Sequence, residues 1–248
     1  MNFFTLSRLR IRAVALVLLV GASLAGTSAH AGDSAQLDVI GFSADGRIFA
    51  FEEFGVQDGS GFAYSNIYFL DTQEDKFLPG TPFKVLAAEE MTLGKIRKAA
   101  RGKALPLIDK YDLENNPGLT VAYNPVSEAE SNPHRLKFYR YPVSPPFGPA
   151  FTVELKPKLF PAPKTCLNME GAFSGFSLSF TEPSKHLIYE DQQVPSSRYC
   201  PNGYRLGAVI ASDVNSAPAM VMIQVSNFGF EGNDERWIAV PVRLTEQP

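Results

Sequence analysis

The chain has 248 residues, 45% of them hydrophobic and 20% charged, and a formal net charge of −3. A domain of this size buries on the order of 70% of its unfolded surface, so neither a metal nor multiple disulfides are required to hold it. The acidic balance disfavours general nucleic-acid binding.

At the N-terminus Arg8, Arg10 and Arg12 precede an apolar run from Ala13 to Leu24, followed by Ala29-His30-Ala31. These three parts read as a secretory signal peptide over 1–31. The run is short for a bilayer span. Cleavage would therefore leave no stable membrane anchor and a single mostly-β domain over 32–248. No Arg-Arg pair precedes the run, which favours the general secretory route. The expected location is periplasmic or secreted.

Residues 38 to 85 read as an antiparallel meander. Asp38–Phe42 is a short strand. In the turn Ser43-Ala44-Asp45-Gly46 the aspartate bonds its own backbone and the glycine takes positive φ. Ile48–Phe51 is a continuous apolar run, as in a strand covered on both faces. Glu52–Tyr64, rich in glycine and acid, reads as a loop. Asn66–Leu70 is a third strand, and Pro79 and Pro82 demote Phe77–Val85 to an edge. This unit resembles one blade of a β-propeller.

Leu93, Ile96, Ala100, Ala104, Leu107, Ile108 and Tyr111 recur at spacings of three and four, which predicts an amphipathic helical insertion around 90–111. Gly102 and Pro106 are expected to split it. Lys95, Arg97, Lys98, Arg101 and Lys103 make its outer side basic, either a solvated face or a patch for an acidic partner.

Asn115-Asn116-Pro117-Gly118 breaks the helical pattern. Leu119–Tyr123, Leu136–Tyr141 and Phe151–Leu155 follow as strand candidates, among many prolines. Phe173–Phe180 alternates with period two, as in a half-buried strand. A run at His186–Ile188 leads into the loop Tyr189–Arg205. Arg205–Ala211, Met220–Val225 and Trp237–Leu244 close the chain as another meander. The stretch Asp45–Phe51 is faintly echoed by Asp234–Val240.

Cys166 and Cys200 are the two cysteines, and export to an oxidising compartment predicts that they pair. Closing the loop between them stabilises by roughly 3–4 kcal/mol in the chain-entropy model. Such a bridge fastens Tyr189–Arg205 to the segment before Ala172.

No nucleophile elbow, zinc-protease helix, Cys-x-x-Cys pair, phosphate loop or calcium loop occurs. His134 and His186 are isolated, so neither a metal site nor a cofactor is expected. The remaining chemistry is acid and arginine. Glu52, Glu53 and Asp58 fall in the first long loop, Glu190, Asp191 and Arg198 in the disulfide loop, and Glu231, Asp234 and Arg236 in the last turn. Strand-end loops of a meander tend to gather, so these nine residues are the candidate ligand site. Arginine there would hold an anion, the carboxylates could instead hold a hard cation such as calcium, and a carboxylate pair could do glycosidase-type acid–base work.

Three stretches carry a family resemblance: Phe42–Gly61 (FSADGRIFAFEEFGVQDGSG), Glu190–Arg205 (EDQQVPSSRYCPNGYR) and Gly229–Val240 (GFEGNDERWIAV). They resemble the signatures of a family of predicted secreted bacterial proteins of unknown function. The resemblance implies export and a bacterial host, and brings no activity or catalytic residue. The expected fold is mainly β, with antiparallel meanders in a propeller-like or sandwich arrangement. The expected function is a non-enzymatic binding or interaction protein with an unknown protein or small-molecule partner. The alternatives are a hydrolase using carboxylates and an envelope structural protein docking through the basic helix.

Overall fold

A computed structural model describes residues 32–169, 171–230 and 232–244. The signal peptide expected over 1–31 and the candidate Glu231 lie outside the described residues. The strands are β1 (Gln36–Phe42), β2 (Ile48–Val56), β3 (Ala63–Asp71), β4 (Lys76–Phe77) and β5 (Phe83–Leu86). Helix α1 (Leu93–Lys110) follows, then β6 (Leu119–Tyr123), β7 (Arg135–Tyr139), β8 (Ala150–Phe160), β9 (Phe173–Glu182) and β10 (His186–Glu190). The last three strands are β11 (Pro201–Ala211), β12 (Ala219–Phe228) and β13 (Asn233–Val242).

Every sheet is antiparallel. The N-terminal sheet runs β1-β2-β3, with β4 and β5 both pairing on β3. The outer sheet has the order β10-β9-β8-β7, and the central sheet β13-β12-β11-β6. The fold is therefore mainly β with one helix, as the patterning predicts. The alternation along β12 shows how the layers stack. Val221, Ile223 and Val225 pack with Leu155, Leu178 and Phe180 of the outer sheet. Met220 and Met222 point the other way, against Phe49 and Phe51 of the N-terminal sheet. A period of two on a strand buried on both faces has this effect. The far face of the N-terminal sheet is covered by α1, where Ala50, Ile67 and Phe69 meet Ala100, Ala104 and Ile108.

Two glycines are needed where they stand. Gly46 has φ 71°, as the turn chemistry predicts. Gly207 lies where the register of β11 shifts, and a Cβ there would sit 2.4 Å from the Trp237 ring. Beyond that bulge the inward face of β11 changes parity, so Leu206 and Val209 face the same core.

Three local expectations are corrected. Residues 52–56 are strand, since β2 pairs with β3 as far as Val56↔Ala63. The acids that suggested a loop are tolerated because each has buried partners, described below. Gly102 and Pro106 do not split α1, which is continuous. Pro106 faces solvent, where water can take the carbonyl it leaves free, while Ile96, Ala100, Ala104 and Ile108 hold the other face. Arg97 and Arg101 are not on the outer side. They turn inward to Asp38 and Glu52. The echo of Asp45–Phe51 in Asp234–Val240 falls on β2 and β13, which occupy different positions in their sheets.

Cys166 and Cys200 form the expected disulfide, Cα–Cα 5.8 Å, across a sequence separation of 34 residues. It pins the turn after β8 to the loop before β11, over Phe173 and Phe228.

A cleft beneath the disulfide loop

The segment between β10 and β11 is organised by a buried ion pair. Arg198 Nη1 donates to Asp191 Oδ2 at 2.7 Å, and both side chains are almost fully buried. Asp191 Oδ2 also accepts the Phe176 N–H at 2.8 Å, and its Oδ1 accepts from the Tyr189 hydroxyl at 2.5 Å. Arg198 Nη2 donates to the Tyr189 oxygen at 3.0 Å, and the guanidinium lies 4.6 Å from the Phe176 ring centre. Burial and the bond to Asp191 push the Tyr189 phenol up to about 12. Removing one partner from such a pair leaves a charge with no compensation, so the loop is fixed at Arg198.

Tyr199 follows, between that anchor and the disulfide at Cys200. Its backbone stands at φ 58°, ψ −117°, a conformation costly for a bulky side chain. Arg198 and Cys200 hold it there, and the residue is 65% exposed.

The ring of Tyr199 overhangs a cleft of about 890 Å³ between the N-terminal and central sheets. The floor is polar and paired. Glu53 is buried, and its Oε1 accepts from Asn66 Nδ2 at 2.9 Å and from the Tyr68 hydroxyl at 2.7 Å. Its Oε2 accepts the Trp237 backbone N–H at 2.8 Å. Arg236 Nη2 donates to Asp33 Oδ2 at 2.6 Å, with the guanidinium 4.7 Å from the Tyr64 ring centre. Tyr64 donates to Asp33 Oδ1 at 3.0 Å. Burial pushes the phenols of Tyr64 and Tyr68 far above their usual range, and burial likewise raises the Asp234 carboxyl against the pull of Arg236. Around this floor Phe77, Leu86, Met169 and Tyr199 present exposed apolar surface.

Of the nine candidates, Glu53, Arg198, Asp234 and Arg236 line the cleft. Glu52 does not. It is the next residue on a strand, so it points to the opposite face. There its carboxylate accepts from Arg97 Nε at 3.0 Å, Arg97 Nη2 at 2.9 Å and Ser65 Oγ at 2.8 Å. Asp58 lies in the β2–β3 loop and accepts the Gly59 N–H at 2.9 Å. Glu190 pairs with Lys158 at 3.0 Å on the outer sheet. Asp191 sits behind Arg198. The aromatic half of the site (Tyr64, Tyr68, Phe77 and Tyr199) is what residue chemistry did not reveal. The one signal for Tyr199 was a large aromatic beside a loop cysteine.

His134 Nε2 lies 3.1 Å from the Tyr204 carbonyl oxygen, and the His186 ring lies tilted against Phe180, centroids 5.2 Å apart. Among the described residues no group of three or more His, Cys, Asp or Glu could hold a metal ion. None of the described helices is long and apolar enough to cross a membrane.

Fold and cleft together define a disulfide-bonded, mainly β protein with a polar floor and an aromatic rim. The chain belongs to the family described as predicted secreted protein (DUF2259), which matches residues 50–243. The function of that family is unknown, and export is the property that its description carries. No curated protein and no solved structure matches the chain.

Proposed function

We propose that this exported protein binds a ligand in the cleft beneath Tyr199 and performs no covalent chemistry on it. The observation that carries the reading is the contrast between floor and rim. Glu53, Arg198 and Arg236 already have protein partners on the floor, whereas the rim offers Phe77, Leu86, Met169 and Tyr199 to solvent. Apolar groups gathered around a concavity favour binding. A carboxylate hydrolase needs an acid free to exchange a proton with substrate. Glu53 has both oxygens engaged by donors, which favours a structural role for it. The strained backbone of Tyr199 also supports a site, because such strain persists where the surroundings over-determine it.

The test uses anilinonaphthalene sulfonate and energy transfer from Trp237, the single tryptophan of the chain, which lines the cleft. Saturable binding is expected in the wild type. Tyr199→Gly should lose it while keeping or raising the melting temperature, since glycine relieves the backbone strain. Absence of saturable binding, or binding indifferent to both Tyr199→Gly and Phe77→Ser, would overturn the proposal.

A further inference from the structure

Along the outer edge of β13 the backbone N–H groups of Glu235 and Trp237 are both taken before Ala239 is reached. Glu235 gives its N–H to the Asp33 carbonyl at 2.8 Å, and its own carbonyl accepts the Ala35 N–H at 3.1 Å. Glu235 therefore faces away from β12. The register of β13 on β12 is unbroken, so Trp237, Ala239 and Pro241 turn their backbone groups the same way. The Trp237 N–H is taken by the Glu53 carboxylate, a side chain standing in for a neighbouring strand. Pro241 has no N–H. Among the described residues, nothing takes the outward N–H of Ala239.

At that point the edge opens into a hollow of about 330 Å³, lined by Leu70, Phe77 and the charged residues Asp75 and Lys76 on the side of the N-terminal sheet and by Tyr189, Pro195 and Arg198 on the other. The hollow and the large cleft share Phe77, Arg198 and Ile238, so they meet along β13. A strand added beside β13 in the plane of the central sheet would send alternate side chains to these two walls. The same edge already takes one extended residue of this chain, in the isolated parallel bridge of Ser34 with Glu235.

Resting on the cleft as a binding site, we infer that its ligand is an extended polypeptide segment with apolar side chains, which pairs with the edge of β13 at Ala239. An open sheet edge recognises a strand through its main-chain groups, and pockets for alternate side chains select the sequence. A ligand without a peptide backbone would not match the donor at Ala239 and the flanking carbonyls of Trp237 and Ala239. Of the outward-facing groups, it is this donor and these carbonyls that the cleft leaves for a partner strand.

The probes are lysine-flanked peptides of alternating valine and threonine, with Trp237 fluorescence and amide hydrogen exchange as readouts. Binding should slow exchange of the Ala239 amide in the wild type. Ala239→Pro removes the donor without removing a bond to β12, as Pro241 does naturally, and should weaken the peptides about tenfold. Anilinonaphthalene sulfonate should still bind that variant. Peptides that bind without protecting the Ala239 amide, or equally well to Ala239→Pro, would overturn edge pairing. Dye binding with no peptide binding would defeat this inference and leave the cleft proposal standing. Failure of both probes would defeat both.

Discussion

Truncating Asp191 is the sharpest test of how the disulfide loop is held. In Asp191→Ala the Arg198 guanidinium stays buried without its counter-charge, and the Phe176 N–H loses its acceptor. Leaving a buried charge unpaired costs about 3–5 kcal/mol, and the orphaned amide adds about 1–3 kcal/mol. Against a total stability on the order of 5–15 kcal/mol, the loss is large. The measurement is urea unfolding followed by Trp237 fluorescence. Arg198→Met alone should be similarly costly, because Asp191 is then the buried charge. The double variant Asp191→Ala/Arg198→Met removes both charges together and should recover about half or more of the summed loss, since an apolar replacement of a buried pair is often neutral. If Asp191→Ala cost under about 1 kcal/mol, the size of a surface pair, or if the two losses simply added, the ion pair would not be what fixes Tyr199 over the cleft.

Three further outcomes follow from the geometry. Tyr64, Tyr68, Tyr189 and Tyr204 all have phenols raised by burial. Each keeps its proton in the fold after the unfolded chain has lost it, so its contribution is whole below about pH 10 and is lost as pH rises toward the folded value. Stability should fall above about pH 10, by at most roughly 1.4 kcal/mol per pH unit for a well-buried phenol such as Tyr68 and by less for the solvent-screened Tyr189, and tyrosinate absorbance should show these phenols ionising together with unfolding. Gly207→Ala places a Cβ in the Trp237 ring and should cost about 1–3 kcal/mol by overpacking, with a change in Trp237 emission. Reducing the Cys166–Cys200 bridge should lower stability by roughly 3–4 kcal/mol, read as a drop in urea midpoint, and should loosen Tyr199 before the sheets.

Much of the fold was legible because its causes are local. Asp45-Gly46 makes its turn from its own chemistry, and the period of α1 survives Gly102 and Pro106 because the buried stripe outweighs them. The edge character of residues 77–85 follows from two prolines, and the structure divides them into β4 and β5. The site was legible only in part. Glu53, Arg198, Asp234 and Arg236 were found through their charge, but the same criterion selected Glu52, which serves the helix interface. Glu52 and Glu53 looked like a loop because an acidic pair in a strand needs compensation. The compensation comes from Arg97 and from the Trp237 N–H, the latter 184 residues along the chain.

Residue order alone determined the mainly β character, the amphipathic helix, the paired cysteines and the family, each of which depends on neighbours, parity or motif. The stacking of three sheets, the cleft under Tyr199 and the open edge at Ala239 were decided by tertiary structure. They arise where distant strands meet, and a backbone N–H becomes a candidate contact only once its surroundings show which neighbours have been satisfied.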